Sequence, residues 1–545
     1  MKTRILFYSG LISMVLALGA CHDFLQKDPP SSPSESIFWQ RKLDFDNALT
    51  ACYSTLRDNG FTAVKLPCFD NLTDNSLCQY NEATYGRTMT MILGDIYSNT
   101  DGFVSEVFNG SFKAISRCNL FLEKLEAYEG GDISEAEKTY MVAQAKALRA
   151  YYYHWLFLCY KEVPVFTKFL SLEEQYQSKA SRKEIYDQIM KDFTEAAAAF
   201  NDNTYMESPG RFTKGACYAY MARVAMFDAY SDENGIPTGI AKPEAMKKVI
   251  EYCEKVKGYA LDENMRTAFV ESQQMSSTEM IFSTRFAAPD IPNNGNLYYC
   301  NWNCSMIQRN LVDAYECIDG KDWGESPLTE EVNEKLITSS LPTDLLVRAE
   351  REKLFANRDA RMRMAITPTT VYHFPEHEDN LINPVYYDAC PSLTGFAVLR
   401  FIQPFVGDEI YNMVVGADIN LMRYAHVLLM LAEAENEANG PTEKAYNAAN
   451  LVRVRAGQPE IPKDLSQAEL RAKIRKEWRI ETVSEGWRYF HLKQWNELKN
   501  VPGIIAKEKP YTVAAKFEDR FMFWPIPQSE IDKSNGILVQ DPAYD

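Results

Sequence analysis

Residues 135–160 read EAEKTYMVAQAKALRAYYYHWLFLCY, and this segment decides how the chain folds. Its first half mixes charged and apolar residues at helical spacing, whereas its second half is apolar on every side. A helix that is apolar all round is buried, so we expect this one at the centre of the molecule. Trp155 is therefore predicted to lie in the core, and Pro164 to end the segment.

Further helices are predicted on both sides of this segment. One-sided apolar stripes mark residues 45–56, 105–125, 213–230 and 243–258, and Ser181 with Glu184 forms a capping box before a helix that ends near Phe200. Helical periodicity returns over residues 419–439, 442–456 and 465–498. From about residue 261 to residue 417, Pro, Asn and Gly are frequent and strand-like pieces such as 280–283 appear.

Paired helices of ~15–20 residues with small residues at their contacts are typical of a tetratricopeptide-like helical repeat. We therefore predict a mainly α fold in one domain, residues 37–545. About four helix pairs, over residues 37–260 and 418–500, would form a layer, and residues 261–417 would form a long irregular insertion with few short strands. Loops on a rigid scaffold commonly carry binding groups, so the insertion is predicted to bind ligand.

The composition of the chain limits its function. The 545 residues carry a net charge of -17, and this acidity argues against a nucleic-acid-binding protein, which normally presents a basic face. Aromatic residues make up 12% of the chain, with 31 Tyr, 29 Phe and 8 Trp. This is more than a core obviously needs, so part of the surplus is available for binding.

The N-terminus has the pattern of an export signal. Lys2 and Arg4 precede a nearly continuous apolar run that extends to residue 20, and residues 18–21, LGAC, resemble a bacterial lipobox. We predict a lipoprotein signal peptide over residues 1–20, lipidation of Cys21, and an extended tether over residues 21–36. The alternative is an ordinary signal peptide followed by a chance cysteine.

Short motifs along the whole chain resemble one known family. They are, in order, CHDFL (21–25), AKALRAYYY (145–153), GRFTKGA (210–216), NRDAR (357–361), NLVRVRAG (450–457) and WPIP (524–527). Their order and coverage are similar to the SusD/RagB family, the surface lipoproteins of Bacteroidetes nutrient-uptake systems.

The resemblance implies a helical frame of four tetratricopeptide-like pairs and an irregular half that holds the ligand. It also implies a surface-exposed lipoprotein of the outer membrane. Such a protein captures oligosaccharides, in some members peptides, and hands them to a SusC-like TonB-dependent transporter. We accordingly expect a binding protein and not an enzyme, with no cofactor, no metal and no nucleic-acid partner.

Charged residues in the resembling C-terminal helices are interpreted as structural rather than catalytic. Arginine can bond one carboxylate with two donors, and these helices are rich in Ala and must pack closely. The residues expected to form interhelical ion pairs are Arg423, Glu433, Arg453, Arg455, Glu477, Arg479, Glu481 and Arg488.

Two loops, residues 70–101 and 293–308, combine aromatic rings with amides and charges. Sugars stack their CH-rich faces on flat rings, while their hydroxyl groups need fixed polar partners. The resemblance places a ligand in roughly these zones. The predicted ligand contacts are Asn75, Tyr80, Arg87, Tyr97, Asn99, Tyr298, Tyr299 and Trp302. The alternative is that these rings only anchor the loops to the core.

Catalytic and metal-binding patterns are weak. Residues 373–377, HFPEH, fit the HxxEH zinc motif, but that motif needs a helix and Pro375 would break it. Cys300 and Cys304 lack two further zinc ligands at standard spacing, while Cys159 and Cys217 are expected as small buried hydrophobes. Three rival functions stay open: binding of peptide or glycopeptide cargo, an exported all-helical glycoside hydrolase, and a helical scaffold without a small ligand.

Overall fold

The computed structural model describes residues 38–96, 102–171, 173–238, 240–339, 345–369, 371–374, 385–386, 392–405 and 413–544. The predicted signal peptide, the predicted lipidation site Cys21 and the predicted tether lie outside these ranges. The α-helices within them are α1 Lys42–Asp58, α2 Thr88–Ile92, α3 Phe103–Glu126, α4 Glu135–Cys159, α5 Arg182–Ala199, α6 Lys214–Ala229, α7 Lys242–Lys255, α8 Glu271–Gln274, α9 Arg309–Ala314, α10 Glu334–Ser339, α11 Leu345–Lys353, α12 Ala360–Ala365, α13 Tyr424–Asn439, α14 Glu443–Arg455, α15 Gln467–Glu481, α16 Arg488–Gln494, α17 Val501–Ile505 and α18 Gln528–Lys533.

Short strands pair into antiparallel two-stranded sheets. They are β1 Ser76–Leu77 with β3 Met306–Ile307, β2 Met280–Thr284 with β8 Ile419–Arg423, β4 Ile366–Pro368 with β7 Phe396–Val398, and β5 Val371–Tyr372 with β6 Val385–Tyr386. The molecule is thus mainly α with few short strands, as predicted. Of the helices in the described ranges, none combines the length and the apolarity that a bilayer crossing requires.

The long helices pack side by side in chain order. α1 packs on α3, α3 on α4, α4 on α5, α5 on α6, and α6 on α7. α7 then packs on α13, although the predicted insertion separates these two helices along the chain, and α13 packs on α14 and α15. The eight helices that follow this order, from α1 to α14, form four consecutive pairs. This arrangement confirms the predicted tetratricopeptide-like layer.

The central position predicted for α4 is confirmed. Every residue from Ala147 to Cys159 is buried. The ring of Trp155 stacks on Phe69 and on Trp487, with centroid separations of 5.5 and 5.9 Å. Much of the aromatic surplus is therefore core, and the predicted capping box at the start of α5 is also present.

Two predicted helices have other bounds in the structure. Residues 419–423 form strand β8 instead of the start of a helix, because they pair with β2 and all five side chains are buried. The predicted helix 465–498 is two helices, α15 and α16, and the chain turns between them at Ser484 and Gly486, where φ is 60° and 77°. A Cβ atom at position 486 would lie 2.2 Å from the carbonyl oxygen of Leu66, so this turn requires glycine.

Two buried cationic side chains, Arg182 and Lys493, cap the C-terminal end of α4. The Arg182 guanidinium donates to the carbonyl oxygens of Phe157 and Tyr160 at 2.9 and 3.3 Å, and the Lys493 ammonium donates to the two carbonyl oxygens in between. The last carbonyl groups of a helix lack partners within it and carry partial negative charge, so both cations stabilise this end. Burial nevertheless lowers the pKa of Lys493 to about 7.

We expect the free energy of unfolding of Lys493→Met to depend less on pH, between about pH 7 and 10.4, than that of the wild-type protein. In the unfolded chain Lys493 holds its proton up to about pH 10.4, whereas in the folded protein its pKa is about 7. Its contribution to the free energy of unfolding is therefore fully present above about pH 10.4 and is lost as the pH falls through 7, with a slope of up to ~1.4 kcal/mol per pH unit in between. Urea unfolding of both proteins at several pH values in this window measures the difference between their free energies of unfolding. The effects of other titrating groups are the same in both proteins and cancel in this difference. Parallel stability curves for the two proteins would contradict the prediction.

Candidate aromatic ligand site

Four aromatic side chains meet where the loop after β1 lies beside the π-helix Leu297–Asn301. We call Tyr80, Tyr85, Tyr298 and Trp302 the aromatic patch. The ring centroid of Tyr85 lies 5.5 Å from that of Tyr80, 5.7 Å from that of Tyr298 and 6.4 Å from that of Trp302. Tyr85 is 8% exposed, whereas the other three side chains are half-buried. Tyr85 therefore supports three rings that each keep a solvent-facing part.

The β1–β3 sheet brings the two predicted loops together. Ser76 stands opposite Ile307 in an antiparallel pair, so the chain that leaves β1 runs beside the chain that enters β3. Beyond the sheet, the side-chain amide of Gln79 donates to the carbonyl oxygen of Trp302 at 3.2 Å. The relative position of the rings is therefore fixed by backbone pairing and not only by contacts between the rings.

Polar groups accompany the rings. Burial raises the pKa of Tyr298 to about 12, so its hydroxyl stays protonated at neutral pH and can both donate and accept a hydrogen bond. Next to Tyr80 along the chain, the backbone carbonyl of Asn81 accepts from the Arg87 guanidinium at 2.8 Å, and the Asn81 side-chain oxygen accepts from the backbone N–H of Thr90 at 3.1 Å. Flat rings with hydroxyl, amide and guanidinium groups nearby suit a ligand that has apolar faces and many hydroxyl groups.

Two of the predicted ligand contacts are withdrawn, because their side chains are buried. Tyr299 is 1% exposed, and its hydroxyl donates to the carbonyl oxygen of Val64 at 2.5 Å. Asn75 is also 1% exposed, and its side-chain oxygen accepts from the Arg479 guanidinium at 2.8 Å. Both side chains hold the loops in place and neither reaches the surface.

The other predicted contacts have different outcomes. The patch contains Tyr80, Tyr298 and Trp302, and Arg87 lies on the same loop as Tyr80. Two further predicted contacts, Tyr97 and Asn99, lie outside the described residues. Tyr85 and Asn81 were not among the predicted contacts, and the sequence offers only their place in the same Asn- and Tyr-rich loop as a signal.

A buried network of arginines and glutamates joins the C-terminal helices to the rest of the molecule. Arg423, 1% exposed, contacts Glu481 at 2.8 Å, Glu485 at 2.6 Å and Glu279 at 2.5 Å. The other pairs are Arg361–Glu477, Arg361–Glu481, Arg400–Glu485, Arg453–Glu316, Arg453–Glu477, Arg455–Glu279, Arg455–Glu481, Arg479–Asp74 and Arg488–Asp74. Of the eight residues predicted to form interhelical ion pairs, all but Glu433 form ion pairs, and the partner of Arg479 and Arg488 is Asp74, which lies outside the helices.

The arginines of this network outweigh the effect of burial on its carboxyl groups. Burial alone would raise the pKa of Glu485, but Arg423 and the other cations hold that pKa well below its usual range. The pKa of Glu481 is held low in the same way, mainly by Arg455 and Arg423. These carboxylates are therefore ionised and fully engaged, which suits a structural role.

Glu433 is the exception among the predicted ion pairs. Its carboxylate accepts hydrogen bonds from the Tyr230 hydroxyl at 2.7 Å and from the indole nitrogens of Trp478 and Trp495 at 2.8 and 2.7 Å. Burial raises its pKa. The ion-pair prediction is therefore wrong for Glu433, which is held by uncharged donors.

Metal-binding geometry is absent from the residues that the structure describes, where no three His, Cys, Asp or Glu side chains are grouped to hold an ion. Of the HxxEH pattern, His373 lies 3.3 Å from a carboxylate oxygen of Glu352, while residues 375–377 fall outside the described ranges. Cys300 and Cys304 are buried free thiols, and so are the cysteines at positions 159 and 217, whose burial was predicted.

Comparison with known proteins identifies the family. A family model described as the SusD family matches residues 265–544, just over half of the chain, and a model described as starch-binding associating with outer membrane matches residues 23–226. SusD-like protein P38 of Formosa agariphila is 24% identical over 522 residues, which cover 90% of each chain. SusD-like protein P25 of the same organism is 23% identical over 567 residues, which cover 98% of this chain and 97% of P25.

Solved structures share the fold. A SusD-like protein of Bacteroides fragilis, 22% identical, superposes with a TM-score of 0.73 over 95% of this chain and 100% of its own. A laminarin-binding SusD-like protein, 19% identical, gives a TM-score of 0.63 over 93% of this chain and 100% of its own. Together with the matches of the family models, these similarities show that the chain belongs to the SusD family, a carbohydrate-binding family associated with the outer membrane.

Proposed function

We propose that this protein is a lipid-anchored receptor on the outer surface of the outer membrane. It binds an oligosaccharide at the aromatic patch and delivers it, chemically unchanged, to a SusC-like TonB-dependent transporter. The observation that carries the proposal is the patch itself. Three half-buried rings surround Tyr85, polar groups stand beside them, and the β1–β3 pairing fixes both loops.

The chemistry of the patch favours a sugar over an ionic ligand. An aromatic side chain with a polar tip offers a large apolar surface at small entropic cost and still forms hydrogen bonds. The rings of Tyr298 and Trp302, with centroids 5.5 Å apart, form such a surface. Outer-membrane anchoring is supported by the lipobox-like residues 18–21 and by the description of the model that matches residues 23–226.

Burial excludes three carboxyl groups with shifted pKa values, Glu481, Glu485 and Asp70, from a catalytic role. A glycoside hydrolase normally needs two carboxyl groups that flank the scissile bond, one of them protonated. In this protein Glu481 and Glu485 are 1% and 4% exposed and are engaged by arginines. Asp70, whose pKa burial raises to about 7, is 1% exposed and accepts from the backbone N–H groups of Ser484 and Arg488. None of these three carboxyl groups can reach a ligand at the surface.

The proposed function is tested by screening the purified protein, from Cys21 onward, against panels of neutral oligosaccharides, acidic oligosaccharides and peptides, followed by calorimetry. We expect saturable binding of one oligosaccharide class and no binding of peptides. Mass spectrometry after long incubation should recover the oligosaccharide intact. Binding of peptides alone would overturn the choice of cargo, and shortened products would show a hydrolase. Cys21→Ser should release the protein from the membrane, and the transporter should co-purify with the wild-type protein.

A further inference from the structure

A groove on the outer side of α15 is lined mainly by basic residues. Its cavity volume is about 450 Å³, and the basic residues that line it are Arg471, Arg475, Lys476, Arg479 and Arg488. We call these five residues the cationic groove. Among the described lining residues Glu497 is the one acid. This concentration of positive charge contrasts with the net charge of -17 of the whole chain.

The groove follows from the spacing of three arginines on α15. Arg471, Arg475 and Arg479 are four residues apart, so they lie on one helix face over a length of about 12 Å. Ala468 and Ala472 line the same cavity, and their small side chains leave room between the guanidinium groups. Like charges at this spacing repel one another and destabilise a helix by a few tenths of a kcal/mol per pair, so negative partners are required.

The carboxylates that serve the groove are shared with other cations. Asp74 contacts both Arg479, at 3.2 Å, and Arg488, at 2.9 Å. Glu437 contacts both Arg471 and Lys242. At both ends of the arginine row one carboxylate therefore faces two cations.

The same sharing holds for the lysine that lines the groove. Lys476 contacts Glu316 at 3.1 Å and also contacts Asp322. Glu316 in turn contacts Arg453 at 2.8 Å and Lys473 at 3.2 Å. Glu316 thus serves three cations at once, and Lys476 has Asp322 as a second partner.

The middle arginine of the row, Arg475, is paired within the protein: burial acts to lower its pKa, but Glu433 and Glu497 raise it. The Arg475 guanidinium contacts Glu497 at 2.5 Å and lies 4.6 Å from the ring centroid of Trp495, while its Nε atom is buried without a hydrogen-bond partner. Burial lowers the pKa of Arg479 to about 10, with Arg488 acting in the same direction against Asp74. An anion in the groove would supply further acceptors to the guanidinium groups that line it.

We propose that the cationic groove binds the sulfate or carboxylate groups of an acidic oligosaccharide. The proposal rests on the proposed function and narrows its cargo to glycans with negative charges. A planar guanidinium bonds an oxyanion through two donors, and three of them in a row recognise a repeating anionic chain better than a single ion. On an acidic surface, a local basic groove is also where a polyanion is concentrated.

Calorimetry with sulfated dextran oligosaccharides, unsulfated dextran oligosaccharides of the same length, and inorganic sulfate tests the groove. We expect the sulfated chain to bind at least tenfold more tightly than the neutral chain, and its binding to weaken strongly when salt is raised to several hundred millimolar. Equal binding of the two chains would overturn the proposal. Binding of inorganic sulfate as tight as that of the sulfated chain would also overturn it, because the groove would then be a site for small anions.

The double variant Arg471→Gln with Lys476→Gln removes two charges from side chains that are 27% and 23% exposed. We expect a loss of at least tenfold in affinity for the sulfated chain. The matched control, Lys183→Gln with Lys247→Gln, removes two charges from exposed ion pairs on α5 and α7. It should leave the affinity for the sulfated chain unchanged. The single variant Lys476→Gln, with an intermediate loss, replaces the double variant if that protein does not fold.

The two proposals fail in different ways. If the control variant and the groove variant weaken the binding of sulfated chains equally, the proposed anion site in the cationic groove is wrong, while the proposed binding at the aromatic patch is unaffected. If the groove variant behaves as expected but Trp302→Ala changes the affinity for no oligosaccharide, the proposed ligand site at the patch is wrong. Melting curves of all variants establish that the comparison is made between folded proteins.

Discussion

Replacing Arg423 with methionine is expected to lower the free energy of unfolding by about 3–5 kcal/mol, the range for removal of one partner from a buried ion pair. Arg423 is 1% exposed and touches Glu279, Glu481 and Glu485. Methionine fills a similar volume, so the loss would come from uncompensated negative charge and not from a cavity. Urea unfolding followed by circular dichroism measures it.

An exposed ion pair provides the control for this variant. Lys463 and Glu443 contact each other at 3.2 Å with side chains 59% and 64% exposed, and Lys463→Met should change stability by less than ~1 kcal/mol. If Arg423→Met also lowered the free energy of unfolding by less than ~1 kcal/mol, the prediction would be wrong, and the remaining arginines of the network would have taken over the contacts of Arg423.

The pH dependence of the same variant gives a second measurement. Glu481 and Glu485 have pKa values held below the usual range, so their contribution to stability is present above about pH 4.3 and is lost as the pH falls further. Arg423 is one cause of both low pKa values. The stability of Arg423→Met should therefore fall less steeply in acid than that of the wild-type protein.

Replacing Trp302 with alanine is expected to weaken oligosaccharide binding 10- to 100-fold, about 1.4–2.7 kcal/mol, which is typical of an aromatic residue at the centre of a binding surface. The ring of Trp302 lies 5.5 Å from Tyr298 and 6.4 Å from Tyr85, and it is half-buried. Its removal takes away stacking area but leaves the β1–β3 pairing in place. Calorimetry with the oligosaccharide identified in the screen measures the loss.

Two further variants separate a ligand contact from a structural effect. Trp302→Phe keeps a flat ring and should retain most of the affinity. Trp323→Ala removes an equally large ring, one that packs against Arg309 and Arg358, and should leave binding unchanged. Full affinity in Trp302→Ala would show that the patch only anchors its loops.

The frame of the fold was predictable because local patterns agree with the packing. The second half of α4 is apolar on all sides and is central, and the capping box of Ser181 and Glu184 marks the start of α5. Strand β8 was missed because a short continuous apolar run such as Leu421–Met422 fits a buried helix and a buried strand equally well. Its pairing with β2 is decided by residues more than a hundred positions earlier.

The site was predictable only at the level of loops. Tyr298 and Tyr299 are adjacent in sequence, yet one is half-buried and the other 1% exposed, because the local π-helix turns them to different sides. Asn75 is removed from the surface by Arg479, a partner four hundred positions away. Neither outcome follows from composition or spacing, since both depend on contacts made only in the folded chain.

The direct packing of α7 on α13 and the pairing of β2 with β8 have a consequence for how this architecture can diversify. These contacts hold the two ends of the segment between β2 and β8 next to each other. The ends therefore stay together whatever the length of the loops between them. Doubling the length of such a loop changes the closure entropy by only ~0.6 kcal/mol. The loops of this segment, including the one that carries Tyr298 and Trp302, can therefore be lengthened, provided that β3 and the network residues Glu316, Arg361 and Arg400 are kept. One scaffold can in this way acquire new specificities.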